Sequence, residues 1–221
     1  MKRQLTILSL FFTLSAFGQN NHCFCDKNTL MNEATVSCKT TTLSNNSKLY
    51  WQYNCDRIWL TLENIRGQKS IIDEVPVELY VYTYRLGFHL IREFNGSLIF
   101  RSGCPANGPC IYTLVDKTTG EKVKEFQQLI CIDTLDDAKY LFDFVVYADS
   151  NYKNLVIEFI DTKKKLVVPF DFQKNDLTAR IPEFQFNKME LYGNVLTLFY
   201  KGTDSEELNF KINLNSEKYS R

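Results

Sequence analysis

The side chains most often used in catalysis are scarce in this sequence. It contains two histidines, His22 and His89, so any serine–histidine or cysteine–histidine site would have to use one of them. His89 stands between Phe88 and Leu90 in a run that predicts a β-strand, and no G-x-S-x-G motif occurs in the sequence. The pattern therefore favours a strand histidine over a general base, and we predict no catalytic residue.

Metal and nucleotide motifs are missing as well. The sequence has no H-E-x-x-H, no G-x-x-x-x-G-K-[ST], no G-x-G-x-x-G opening a helix and no EF-hand loop. The segment His22-Cys23-Phe24-Cys25 could offer thiolates together with Cys38, but a C-x-C spacing lacks the two-residue gap of common zinc sites. We expect no metal site and no cofactor.

Carboxylates are the remaining candidates for chemistry, because glycoside hydrolysis needs only two acids at the right separation. Acids gather in one stretch of the sequence, and Asp136-Asp137 within it also suits the start of a helix, where negative charge favours the helix dipole. A carboxylate-based glycan hydrolase is therefore an alternative to a non-enzymatic function. The acids of this stretch are Asp133, Asp136, Asp137, Asp143 and Asp149.

A tyrosine-rich stretch is the predicted binding surface. Residues 76–84 alternate like a strand, which places Tyr80, Tyr82 and Tyr84 on one face with Arg85 just beyond. Tyrosine and arginine are enriched at binding hot spots, so an exposed face would suit a protein or an envelope glycan. In the alternative arrangement, the three rings pack under a neighbouring sheet.

The amino terminus has the layout of a secretory signal peptide. Lys2 and Arg3 precede an apolar run that ends at Ala16-Phe17-Gly18, which predicts cleavage after residue 18. About 13 apolar residues are too few to span a bilayer, so we expect a secreted or periplasmic protein without membrane insertion after cleavage. Cleavage leaves 24 basic and 26 acidic side chains, a net charge of −2. A net charge of −2 does not provide the excess of positive charge that binds the phosphates of nucleic acid.

Secretion permits disulfides, and all seven cysteines lie beyond residue 18. The segment between Cys104 and Cys110 contains two prolines, a glycine and an asparagine, so it forms a turn that can bring these cysteines together. Two further bridges could form among four amino-terminal cysteines, with the pairing open. Cys131 lies in an apolar run and is predicted to be a buried free thiol. The four amino-terminal cysteines are Cys23, Cys25, Cys38 and Cys55.

The rest of the chain predicts an all-β fold. Residues 19–47 form a cysteine-containing tail with a short helix over 28–37, and residues 48–221 form a single all-β domain. Short β-branched and aromatic runs separated by polar turns predict four groups of antiparallel strands. The runs are 48–53, 57–63 and 70–75; 88–94, 98–101, 110–116 and 121–127; 140–147, 155–161 and 165–172; and 184–191, 194–201 and 207–214.

The four groups recur at a spacing typical of propeller blades. Equivalent positions at Thr61, Thr113, Glu158 and Thr197 are 52, 45 and 39 residues apart, against a blade period of about 40–50 residues. We therefore expect repeated antiparallel meanders in a β-propeller-like arrangement, with a β-sandwich or open barrel as the alternatives.

Taken whole, the chain resembles uncharacterised secreted all-β proteins of Gram-negative bacteria of the Bacteroidota type. The resemblance is carried by the leader that ends Leu14-Ser15-Ala16-Phe17-Gly18-Gln19, by Tyr50-Trp51-Gln52-Tyr53-Asn54-Cys55-Asp56, and by the blade-like hairpins. It implies an exported or cell-envelope location and brings no catalytic residues.

These features favour a secreted or periplasmic, non-enzymatic binding module. Its partner would be an unknown protein or an envelope glycan. The two alternatives are the carboxylate-based glycan hydrolase and a structural envelope protein.

Overall fold

The computed structural model describes residues 38–76, 78–79, 86–103, 108–126, 129–130, 142–177 and 181–216. Within these ranges the regular structure is almost entirely strand, which confirms the all-β prediction. A short 3-10 helix at Pro182–Gln185 precedes the last three strands. The strands are β1 (Thr41–Thr42), β2 (Lys48–Tyr53), β3 (Arg57–Glu63), β4 (Lys69–Pro76), β5 (His89–Glu93), β6 (Ser97–Ser102), β7 (Ile111–Asp116), β8 (Lys122–Phe126), β9 (Phe144–Ala148), β10 (Asn154–Phe159), β11 (Lys165–Pro169), β12 (Phe186–Tyr192), β13 (Val195–Lys201) and β14 (Glu207–Asn213).

These strands form four antiparallel sheets, each a meander in chain order. Sheet 1 contains β1 to β4, sheet 2 contains β5 to β8, sheet 3 contains β9 to β11, and sheet 4 contains β12 to β14. An isolated bridge between Leu129 and Tyr147 extends sheet 3 beside β9. The four groups predicted from the sequence correspond to these four sheets.

Burial along the central strands shows which sheets have neighbours on both faces. Residues 58–62 of β3 are all buried, and the inner residues of β7 and β10 are buried without alternation. A strand hidden on both faces is expected to be apolar in a continuous run. In β13, by contrast, Leu196, Leu198 and Tyr200 are buried and the residues between them are not. Sheet 4 therefore has one covered face and one solvent face.

The buried side chains of the described residues form three hydrophobic clusters, one for each pair of successive sheets. The first joins sheets 1 and 2 through residues such as Leu60 and Phe100. The second joins sheets 2 and 3 through residues such as Ile99 and Val145. The third and largest joins sheets 3 and 4 around Phe170. The described sheets thus pack face to face in chain order.

The predicted hairpin turns are present and use the expected turn chemistry. Asn64 Oδ1 accepts hydrogen bonds from the backbone N–H groups of Arg66 and Gln68, and Gly67 has a φ of 75°. Asp116 Oδ1 accepts from the backbone N–H groups of two threonines in the next turn, where Gly120 has a φ of 77°. Polar side chains that mimic a turn and glycines with positive φ are the usual means of reversing a strand.

The strand predicted over residues 76–84 is wrong where the structure describes it. Pro76 is the last residue of β4, and Glu78 and Leu79 lie in 3-10 geometry. Proline lacks the N–H that a continuing ladder would use, so the alternating pattern downstream did not imply pairing. Among the described residues, no helix is both long and apolar enough to cross a membrane.

Several predictions fall on residues outside the described ranges: the signal peptide at 1–18, the helix over 28–37 and the acids Asp133, Asp136 and Asp137. Of the seven cysteines, the structure describes Cys38, Cys55 and Cys110, and none of these three is free. The bridge between Cys104 and Cys110 and the pairing of Cys23, Cys25, Cys38 and Cys55 stay predictions. The free thiol predicted at Cys131 also lies outside the described residues.

Candidate functional site

Strand β5 is the element around which the candidate sites are arranged. All five of its residues, His89–Glu93, are half-buried, whereas the central strands of sheets 1 to 3 have fully buried segments. Two described clefts border this edge strand of sheet 2. Ile91 lines both clefts.

The first cleft, which we call the basic cleft, lies between sheets 1 and 2 and has a volume of about 550 Å³. That volume is in the range of small-molecule sites. Its walls combine apolar side chains with the indole of Trp51 and three nitrogen-bearing side chains, and the described lining contains no carboxylate. The lining residues are Lys39, Thr41, Leu49, Tyr50, Trp51, Leu60, Phe88, His89, Leu90, Ile91 and Arg101.

His89 has an unsatisfied polar atom in the wall of the basic cleft. The residue His89 lies directly across from Arg101 in the antiparallel pairing of β5 and β6. The Nε2 atom of His89 is covered by neighbouring atoms and has no hydrogen-bond partner among the residues that the structure describes. A covered polar atom left unpaired costs about 1–3 kcal/mol, so a group that reached this nitrogen and formed a hydrogen bond with it would stabilise the protein.

Phe88 is fixed as a wall of the basic cleft by contacts from both sheets. Its backbone N–H donates to Asp73 Oδ2 of β4 at 2.9 Å, and its ring stacks on Phe100 with centroids 5.1 Å apart. Lys122 Nζ lies 5.1 Å from the centroid of the Phe88 ring. Burial raises the pKa of the Asp73 carboxyl above its ordinary value, although the Phe88 N–H and the charge of Lys122 act in the opposite direction.

The second cleft, which we call the acidic cleft, lies between β5 and the loops that flank sheet 3 and has a volume of about 430 Å³. Three carboxylates line it. Asp161 accepts hydrogen bonds from Asn95 Nδ2 at 2.9 Å and from the Gly96 N–H at 3.4 Å. Asp161 thereby ties the β5–β6 turn to the β10–β11 turn. The lining residues are Ser44, Ile91, Arg92, Glu93, Phe94, Asn95, Phe142, Asp143 and Asp161.

Glu93 of the acidic cleft is part of a structural cluster around a buried lysine. The Nζ atom of Lys117 donates to Glu93 Oε1 at 2.5 Å, to the Phe94 carbonyl at 3.0 Å and to Ser44 Oγ at 3.2 Å. Burial alone would raise the pKa of Glu93, but the hydrogen bonds from Lys117 and Ser44 outweigh it and hold the pKa below its ordinary value. Glu93 is therefore held as a carboxylate, not as a proton donor.

A second charged cluster joins sheets 2 and 3 away from both clefts. Glu158 Oε2 accepts from Lys124 Nζ at 2.6 Å and from the Tyr147 hydroxyl at 2.8 Å. Burial alone would raise the pKa of Glu158, yet these two hydrogen bonds lower it overall. Burial, together with the charge of Glu158, raises the pKa of Tyr147. None of the three residues lines the basic cleft or the acidic cleft, and their contacts join two sheets, which favours a packing role for the cluster.

The structure places the candidate site residues predicted from the sequence in different parts of the molecule. Asp143 lines the acidic cleft, as a hydrolase would need. Asp149 is not part of that lining. Its oxygens accept hydrogen bonds from the backbone N–H groups of Lys153 and Asn154 and from Asn154 Nδ2. The predicted binding residues Tyr80, Tyr82, Tyr84 and Arg85 lie outside the described ranges.

Sequence reasoning missed the basic cleft. Trp51 and Arg101 are 50 positions apart in different predicted groups, so only the packing of sheet 1 on sheet 2 brings them to one cleft. The available signal was the half-polar strand around His89, which we interpreted as an ordinary strand. Among the described residues, no group of three or more histidine, cysteine, aspartate or glutamate side chains is placed to hold a metal ion.

No protein-family model and no curated protein matches the chain.

Proposed function

We propose that this protein is a secreted or periplasmic, non-enzymatic binding module whose site is the basic cleft. The observation that carries the proposal is the composition of that cleft: two cations, an indole and the half-buried His89 line one concavity. Apolar concavities with a few convergent polar groups are typical of ligand sites.

The states of the acids support a binding role over an enzymatic one. A general acid that works near neutral pH needs a raised pKa. In the acidic cleft, the pKa of Glu93 is lowered by Lys117 and Ser44. Asp161 accepts hydrogen bonds from the β5–β6 turn. Two of the three carboxylates in the acidic cleft, Glu93 and Asp161, are therefore hydrogen-bonded to other parts of the fold.

We also propose that the four sheets are blades of a propeller-like stack. The support is their meander topology in chain order and the three shared cores between successive sheets. Blades cannot bury both faces alone, so stacking of this kind is the expected solution. The interface between two blades is then a natural place for a ligand site.

A capture experiment with envelope extract tests the binding role. Immobilised mature protein should retain a protein or a glycan, and Arg101→Gln should lose it while Arg66→Gln, in an exposed turn, should not. Tyr82→Ala tests in the same experiment the binding surface predicted at Tyr80, Tyr82, Tyr84 and Arg85. If nothing is retained above background by any form, the binding role is wrong and the structural envelope protein becomes the better proposal.

The exported location is tested separately by mass. The protein recovered from the producing cell should lack residues 1–18, and each disulfide should reduce the mass by a further 2 Da or so. An uncut chain would contradict the exported location.

A glycan hydrolase is the second candidate, favoured by one observation: Asp143 shares the acidic cleft with Asp161 and Glu93. The geometry of paired acids flanking a sugar would suit this chemistry. Turnover of a glycan that Asp143→Asn abolishes and Asp149→Asn leaves intact would support it. Absence of turnover across a glycan panel would remove it.

A further inference from the structure

We propose that the basic cleft binds a saccharide that carries a carboxylate, with the sugar ring against Trp51 and the carboxylate at Arg101 and Lys39. The inference rests on the proposed function, because it names the ligand class for the same site. It is carried by the separation of charge between the two clefts, by the unpartnered nitrogen of His89 and by the apolar wall.

The charges of the two clefts differ although both border β5. Lys39 and Arg101 line the basic cleft with no carboxylate in its described lining, whereas three carboxylates and one cation, Arg92, line the acidic cleft. The chain as a whole has 26 basic and 26 acidic side chains, so this positive lining is a local feature. A cleft lined by one sign of charge with apolar walls attracts a ligand of the opposite sign.

Arginine is well suited to the anionic end of such a ligand. Its planar guanidinium can donate two parallel hydrogen bonds to one carboxylate. Arg101 is half-buried on β6, beside the half-buried His89 of β5. Lys39 and Arg101 already have interactions in the structure. A ligand would therefore join or replace those contacts.

The His89 ring supplies a further polar group. Its Nε2 atom is covered by neighbouring atoms and has no hydrogen-bond partner in the described part of the chain. A change of the His89 rotamer is thus part of the proposal, since it would bring this nitrogen to a ligand hydroxyl or carboxylate. A polar atom that has no hydrogen bond in the free protein can form one with the ligand in the complex, and that bond then contributes to affinity.

The apolar wall explains why the anion should be attached to a ring. Trp51 is half-buried and adjoins Leu49, Leu60 and Phe88 in the lining. An indole beside aliphatic side chains presents a flat apolar surface with a polar edge. A pyranose with a carboxylate has one apolar ring face and one charged edge, and a unit or two fits a cleft of about 550 Å³.

Calorimetric titration of the mature protein with short oligomers of glucuronate or galacturonate tests the inference. The uronates should bind, the neutral glucose or galactose oligomers of the same linkage should not, and acetate or phosphate should bind far more weakly. Arg101→Gln should weaken uronate binding about tenfold or more, as expected for loss of a charge-assisted contact, while Arg66→Gln should not. Equal binding of neutral and acidic oligomers, or an Arg101→Gln value equal to that of Arg66→Gln, would overturn the inference.

His89→Leu gives a second readout that a purely structural histidine would not produce. This change removes the unpaired nitrogen, so the melting temperature should rise while uronate affinity falls. A stable His89→Leu protein that binds as the wild type does would refute the role of His89. If a partner from envelope extract binds all cleft variants as it binds the wild type, the ligand class and the basic cleft as the site are both wrong, and only a binding role at another surface stands. If neither uronate nor any extract component binds, both proposals fail.

Discussion

At the residue scale, Lys117 shows how a buried charge is retained by full hydrogen bonding. Its side chain is 1% exposed, and its ammonium group donates to three acceptors. Three donors matched to three acceptors satisfy the whole group, which is what burial of a lysine requires. Ser44 belongs to the turn between β1 and β2, so the cluster also fastens sheet 1 to sheet 2.

Replacing this lysine tests how much the cluster stabilises the fold. Lys117→Met should lower the free energy of unfolding by about 3 kcal/mol, because the Phe94 carbonyl and Glu93 lose their buried donor. Lys48→Met, which breaks an exposed pair with Glu63, should cost less than about 1 kcal/mol. Chemical denaturation of the two variants measures the difference. Equal losses would show that Lys117 adds little beyond an ordinary surface pair.

The hydrogen-bonded Glu158 should make the free energy of unfolding depend on pH in the acid range. Its pKa in the folded protein is lowered from the ordinary value of 4.5, so its contribution is present above that value. The contribution should be lost as the pH falls through the lower folded pKa. Glu158→Gln should cost about 2 kcal/mol at pH 7, and the gap to wild type should close in acid.

Denaturation curves at several pH values check this prediction, with Glu206→Gln at an exposed position as the control. A gap between wild type and Glu158→Gln that persists at the lowest pH would contradict an ionic role for Glu158.

At the element scale, the β7–β8 turn of sheet 2 docks on the edge of sheet 1. Asn64 Nδ2 donates to the Thr118 carbonyl at 3.0 Å, and Ser70 Oγ donates to the Thr119 carbonyl at 2.8 Å. Gly120 follows in the same turn, and a Cβ added to it would lie 2.6 Å from Ser70 Cβ. The turn therefore needs glycine both for its backbone and for the close approach of the two sheets.

Two glycines of equal backbone conformation separate these effects. Gly67 has a φ of 75° with open space around it, whereas Gly120 has a φ of 77° and the short contact to Ser70. Gly67→Ala should cost about 1–2 kcal/mol from the left-handed backbone alone. Gly120→Ala should cost a further 1–3 kcal/mol or so from overpacking. Thermal unfolding measures both; equal losses would mean that the turn can move away from sheet 1.

At the scale of the whole molecule, the described sheets form a row in which each packs on the next. Sheet 4 shares a core with sheet 3 and has a solvent face with exposed positions such as Val195. In a row of this kind, stability depends on neighbouring interfaces. The end of the row should therefore open at lower free energy than its middle.

Phe170 tests this arrangement because it lies in the core shared by sheets 3 and 4. Its ring contacts four other aromatic rings, and the side chain is almost fully buried. Phe170→Ala should cost about 3–5 kcal/mol, and Phe184→Ala, at a position 67% exposed, should cost little. Amide exchange should accelerate more in β12 to β14 than in β2 and β3. Uniform acceleration would show that all four sheets open as one unit.

Much of the fold could be predicted from local patterns. The runs around Thr61, Thr113, Glu158 and Thr197 fall in the central strands β3, β7, β10 and β13, because alternation and turn residues act over a few positions. The strand predicted at Glu78 and Leu79 is wrong because that prediction, too, used only a local pattern. An alternating pattern does not say whether a partner strand is available after Pro76.

The sequence alone determined that the chain forms antiparallel hairpins in four groups, since strand and turn preferences are local. Only the tertiary structure decided that Trp51, His89 and Arg101 share one cleft and that Asp143 and Glu93 share another. His89 and Arg101 face each other within one hairpin, but Trp51 belongs to another sheet, and Asp143 and Glu93 lie in or beside different sheets, so these proximities depend on how whole sheets pack. That packing is set by the summed burial of three cores, which no short segment encodes.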